Sequence, residues 1–157
     1  MENDNKQQDI IKMFNEIAKT YDIANRVLSM GIDKTWRRAA CNLSFKLYGK
    51  EKLDKIVDVA CGTGDLMIDW DNIGKQNGIE INDIIGIDPS VGMMEVGKTK
   101  IPNRTFIEAG AEKLPLEDES VDFISISYGI RNVVQREEGL KEFARVLKKE
   151  IGRASCR

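Results

Sequence analysis

At 157 residues the chain has room for one domain of ordinary size and not for two. Its 41% apolar residues supply a core and its 32% charged residues a wet surface, while its longest apolar runs are strand-sized, too short to span a bilayer. The net charge of −2, with Lys and Arg scattered rather than banked, argues against nucleic acid as the main partner.

The first six residues are polar and lack the apolar segment of a secretory signal, which predicts a cytoplasmic protein. Ile10, Ile11, Phe14, Ile17, Ala18 and Tyr21 then recur at three- and four-residue spacing, with Lys12, Glu16 and Lys19 between them. That rhythm predicts an amphipathic helix whose stripe packs on the rest of the fold. A second helix is expected from near Asp33 or Thr35, carrying Trp36, Ala39, Ala40, Leu43 and Leu47 and stopped by Tyr48-Gly49-Lys50.

From Lys55 the rhythm changes. Ile56–Ala60 reads as a strand, followed by a glycine turn and a helix from Asp65 to about Trp70. Asp83–Asp88 reads as a second strand, stopped by Pro89-Ser90 before a helix through Met93, Met94 and Val96. Arg104–Ala109 and Val121–Ser127 are the third and fourth strands, and Gln135–Lys149 is the closing helix, with Leu140, Phe143, Ala144 and Leu147 at helical spacing. Strands alternating with helices predict a parallel sheet. The fold class is therefore α/β, one Rossmann-like domain over residues 1–150 with a helical N-terminal extension. Ile151–Arg157 continues none of these patterns and is set aside as a non-native tail.

Between the first strand and its helix lies Cys61-Gly62-Thr63-Gly64, where glycines let backbone approach a ligand and the helix N-terminus faces it. A dinucleotide loop wants a small residue at the position held here by Met67. An acid, Asp58, precedes the loop, and a second, Asp88, ends the next strand, where it can accept the hydroxyls of a ribose. A carboxylate beside the loop repels a pyrophosphate and suits a cation, so Asp58, Gly62, Gly64 and Asp88 point to S-adenosylmethionine rather than NAD. The plainer alternatives are a structural acid at Asp58 and a turn residue at Asp88. Past the third strand, Gly110 and Ala111 place small residues beside an adenine, or else make an ordinary turn. With no histidine and no paired spacing among Cys41, Cys61 and Cys156, neither a metal site nor an imidazole dyad is expected.

Two further stretches carry a resemblance. Met13–Asp22, then Asn25, Leu28–Gly31 and Trp36-Arg37-Arg38, resemble the N-terminal signature of the ubiquinone/menaquinone C-methyltransferases, and Ile126–Val133 resembles that family's second signature. The resemblance covers Ile10 to about Lys149. It implies a class I S-adenosylmethionine-dependent methyltransferase in which Thr63, Asp88, Gly110, Ala111 and Ser127 contact the donor and Tyr21 closes over it. The wider class has glycine where this sequence has Ala60.

The implied reaction methylates a ring carbon of a polyprenylated quinol. Arg131 would stabilise a phenolate and Asn132 orient it, the bland reading being a solvated Arg-Asn loop. The proton acceptor is left open between a carboxylate, a tyrosine and a held water. A prenylated acceptor also implies peripheral membrane contact, through the Ile10–Tyr21 stripe or the Leu28–Met30 corner. Relative to the family pattern the last strands are expected to be missing, which leaves the fourth strand at an edge. Competing readings are a methyltransferase for another small or lipid acceptor, such as a sterol or fatty acyl chain, and an inactive fragment. Oligomeric state has no signature in the sequence.

Overall fold

The computed structural model describes residues 2–149, with side chains from Asn5 onward. The tail predicted at 151–157 lies outside the described residues. The elements run α1 (Glu2–Leu28), α2 (Ile32–Tyr48), β1 (Lys52–Val59), α3 (Asp65–Gln76), β2 (Glu80–Asp88), α4 (Val91–Lys100), β3 (Thr105–Glu108), β4 (Phe123–Ser125), a 3-10 turn (Gly129–Asn132) and α5 (Arg136–Val146).

All pairings are parallel and the strand order is β3-β2-β1-β4. The order reverses beside β1, and in an open α/β sheet such a reversal leaves a crevice beyond the strand ends. Side chains that alternate along β1 and β2 feed two cores. Ile56 and Ile84 pack with Met67, Trp70 and Ile73 of α3, together with Cys41 and Phe45 of α2. Val57, Val59, Ile85 and Ile87 pack on the opposite face with Phe143 and Val146 of α5. The α/β, Rossmann-like class expected from the strand–helix alternation is the fold observed.

β1 and β2 begin earlier than their β-branched runs suggest, because Lys52 pairs with Glu80 and Leu53 with Ile81 in register. β4 keeps only three of its predicted residues. Val121 instead bridges Leu147, and the Asp122 carboxylate accepts the backbone N–H groups of Asp54 and Lys55 at 2.7 and 2.8 Å. Among the described residues β4 is an edge strand.

Helix α2 departs furthest from the sequence pattern. It buries Asp33, Cys41 and Phe45, while Trp36, Leu43 and Leu47 stand 64%, 56% and 70% exposed. The inward face joins the core residues Cys41 and Phe45 to a polar anchor: Arg37 donates to Asp33 on its own helix and to Asp65 and Asp69 of α3, at 3.2 and 3.0 Å. The stripe of α1 also behaves differently from expectation. Ile10, Ile11, Phe14 and Tyr21 line a cavity over the strand ends rather than packing flat on the sheet.

Candidate active site

Two adjoining cavities, of ~650 and ~330 Å³, open over the C-terminal ends of β1 and β2. They share Tyr21, Ala60, Gly62, Ser127, Tyr128 and Arg131 as a common wall. The larger takes Asp88, Gly110, Ala111 and Asn132; the smaller takes Asp58 and Thr63. Every side chain singled out from the sequence except Gly64 therefore borders one cavity or both. Gly64 sits behind the wall at φ +79°, and its N–H closes the turn onto the Cys61 carbonyl at 2.9 Å.

The acids are held in distinct ways. Asp88 is 7% exposed; its Oδ2 accepts the Gly62 N–H at 2.8 Å and its Oδ1 the Ser90 N–H at 2.7 Å. Burial pushes its pKa up against those two N–H groups. Each oxygen retains a lone pair for a further donor such as a hydroxyl. Asp58 is 2% exposed and accepts a 2.7 Å hydrogen bond from Ser125 Oγ, which itself accepts Trp70 Nε1–H at 3.1 Å. Burial pushes the Asp58 pKa up to about 7, with the Asp88 carboxylate adding to the rise and the Ser125 bond and Arg37 opposing it.

The lining charges decide what such a site accepts. The larger cavity is bordered by Asp88, Glu108 and Glu112 against Arg131, and the smaller by Asp22, Asp33, Asp58 and Asp65 against Arg37 and Arg131. Both surplus charges are negative. Such a surface repels a pyrophosphate and attracts a cation.

Arg131 and Asn132 lie on the 3-10 turn that follows β4. The Arg131 guanidinium sits over the Tyr128 ring at 5.8 Å, and Tyr128 itself holds a left-handed φ of +60°. Such a conformation persists in a non-glycine residue only where the surroundings hold it, and it recurs at functional sites.

Ala60 is left-handed too, at φ +52°. A Cβ added at Gly129 would lie 2.4 Å from the Ala60 Cβ. The methyl at 60 therefore occupies the space that a side chain at 129 would need. Gly129→Ala should lose about 1–3 kcal/mol of stability, and adding Ala60→Gly should recover most of it. Denaturant unfolding of the two single variants and the double checks this; additive losses would contradict the contact.

Several residues at the site have no sequence signal of their own. Asn15 Oδ1 accepts the Ser90 hydroxyl at 2.8 Å and the Gly92 N–H at 2.7 Å, so α1 caps the start of α4. Ser125 and Trp70 hold Asp58, and Asp22 and Lys100 reach Thr63. These contacts span 37 to 77 positions. Among the described residues no group of His, Cys, Asp and Glu is arranged to hold a metal ion.

Comparison with known proteins adds a family. Residues 2–156 match the model of the ubiE/COQ5 methyltransferase family. The ubiquinone/menaquinone biosynthesis C-methyltransferase UbiE of Campylobacter jejuni (strain 81-176) is 57% identical over 145 residues, which is 92% of this chain and 61% of that protein. The demethylmenaquinone methyltransferase of Chlorobaculum tepidum is 42% identical over 139 residues, 88% of this chain and 55% of that one. Among solved structures, Streptomyces venezuelae DesVI superposes with a TM-score of 0.67 at 19% identity, covering 83% of this chain and 52% of that one. The chain thus spans about three fifths of the length of the Campylobacter relative.

Proposed function

The chain belongs to the ubiE/COQ5 methyltransferase family, and on that premise we propose that it transfers a methyl group from S-adenosylmethionine to a ring carbon of a polyprenylated quinol. The observation that carries the reading is Asp58, a buried carboxyl bordering a cavity, raised to about 7 by burial and in no salt bridge among the described residues. A donor that bears an ammonium and a sulfonium supplies a cationic partner. The names of the relatives from Campylobacter and Chlorobaculum support the quinol as acceptor.

When bound, the donor supplies an electrophilic methyl group, so the protein's task is mainly alignment. Asp58 takes the ammonium. Asp88 uses its remaining lone pairs for the ribose hydroxyls, and Gly110 and Ala111 leave a slot for the adenine. Tyr21 covers the donor from α1, with Thr63 and Ser127 bordering its methionine end. Arg131 stabilises negative charge on the quinol oxygen as the ring carbon becomes nucleophilic, and Asn132 orients that oxygen. Calorimetric titration with S-adenosylmethionine, followed by turnover on a demethylmenaquinol, tests the reading. Donor binding without turnover removes the acceptor, and no binding removes the whole proposal.

A prenylated acceptor dissolves in lipid, and among the described residues no helix is long and apolar enough to cross a membrane. We assign peripheral contact to the corner between α1 and α2. The α1 stripe faces the cavity, whereas Val27, Leu28 and Met30 are 71%, 82% and 87% exposed, with Trp36 close by in sequence on α2. Arg26, Lys34 and Arg38 flank them, and Asp33, which is the one acid between residues 23 and 50, is buried against Arg37. This combination of apolar and cationic side chains suits an anionic bilayer surface. The double variant Met30→Glu, Trp36→Glu should cut co-sedimentation with phosphatidylglycerol vesicles several-fold. Unchanged sedimentation would remove the corner from the proposal.

A further inference from the structure

Behind the glycine loop lies a set of charges that the alignment of donor and acceptor does not use. Thr63, only 3% exposed, donates its hydroxyl proton to Asp22 Oδ1 at 2.6 Å. Lys100 Nζ, at the end of α4, donates to Asp22 Oδ2 at 2.9 Å, to Thr63 Oγ1 at 3.1 Å, and to Asp65. Asp65 is tied in turn to Arg37 of α2 at 3.2 Å and lies 3.9 Å from Arg26 of α1. One ionic knot therefore joins α1, α2, the loop, the start of α3 and the end of α4.

The hydroxyl of Thr63 has one proton and two lone pairs. Asp22 takes the proton and Lys100 takes one lone pair, so the only capacity left is that of an acceptor. Both Thr63 and Asp22 border the smaller cavity, beside Asp58. Burial alone would raise the Asp22 carboxyl, but the Thr63 hydroxyl, Lys100 and Arg26 together hold it below its ordinary value, so it stays ionised and keeps the proton of Thr63 turned toward itself.

We propose that Asp22, with Lys100, is a positioning residue for the donor: it fixes the Thr63 hydroxyl as an acceptor for the donor's ammonium end and by the same bonds latches α1 over the site. The proposal rests on the donor reading given above. It differs from plain packing of α1, because one residue sets both the polarity of a ligand contact and the closure of the helix that roofs the cavity. Asn15 docks the same helix elsewhere, through Ser90 and Gly92 at the start of α4 and not through the glycine loop.

The test is a double-mutant cycle on Asp22→Asn and Thr63→Val, read by calorimetric titration with S-adenosylmethionine. Each single change should weaken binding about tenfold or more, the scale of a lost charge-assisted hydrogen bond. The double variant should be no weaker than the worse single one, because both remove the same contact. Lys100→Arg, which keeps the charge, should retain affinity, and Lys100→Met should lose it. In the donor-free chain, amide exchange across residues 17–28 should quicken in Asp22→Asn. Additive losses in the cycle, or unchanged exchange in α1, would overturn the proposal. The exchange measurement needs no ligand, so it judges the latch even if wild-type protein fails to bind the donor and the donor reading falls alone.

Discussion

Affinity for S-adenosylmethionine is expected to rise roughly twentyfold between about pH 5.5 and about pH 7.5, and Asp58→Asn should abolish that rise. Asp58 titrates near 7 in the free protein, mainly because burial disfavours its charge. A cationic ligand binds the ionised carboxyl, so below that value each bound donor must first displace a proton. Affinity then falls by up to one decade per pH step. The donor's own amino group stays largely protonated across this window, because α-amino groups titrate nearer 8.

The same carboxyl makes an opposite prediction for stability. Its folded value lies above its ordinary 3.8, so its contribution is fully present below 3.8 and is lost as pH rises through about 7. A shift of about three pH steps corresponds to about 4 kcal/mol. Asp88 is shifted in the same direction and adds to the trend. Asp22, Asp33, Asp71, Asp122 and Glu142 are lowered, so the stability they lend is lost only as pH falls below the ordinary carboxylate range. Between about pH 5 and 8 the raised pair therefore dominates among the shifted carboxyls. Asp58→Asn should be more stable than wild type at pH 8 and bind the donor about 10–100 times more weakly. Gain of stability with loss of affinity marks an acid kept for a ligand. A purely structural Asp58 gives the reverse: lost stability and a flat affinity profile.

How much of this was readable beforehand follows from the range of the interactions. The strand cores, the glycine turn and the acids around it are local features, set by β-branched runs and by residues within a few positions of one another. Consecutive strands β1 and β2 pair side by side in parallel, so Asp58, Gly62 and Asp88 lie together at their C-terminal ends. The inward face of α2 is not local. Trp36, Leu43 and Leu47 offer a good apolar stripe, yet the face turned inward is the one on which Arg37 finds Asp65 and Asp69 some thirty residues away and Cys41 and Phe45 enter the core. The same holds for Ser125 and Trp70 behind Asp58: a serine inside a strand and a tryptophan inside a helix read as ordinary core positions until the sheet brings them together at 3.1 Å. The α1 stripe shows a third limit, since periodicity reveals that a face is apolar but not whether it meets a sheet or a cavity.

Arg131→Ala should lower kcat about 10²–10³-fold while leaving donor affinity within about twofold. The guanidinium stands in the wall shared by both cavities, on the 3-10 turn that follows β4. It has no carboxylate partner among the described residues and rests against the face of the Tyr128 ring. A cation seated on an aromatic ring keeps its N–H groups free for an anionic oxygen. Arg131→Lys should recover part of the rate, as the charge returns without the planar fork. Tyr128→Ala should depress kcat with no change in the donor's dissociation constant, since it removes the seat and not the charge. Wild-type turnover in Arg131→Ala, with the donor bound normally, would take this arginine out of the mechanism and leave the turn as a solvated loop.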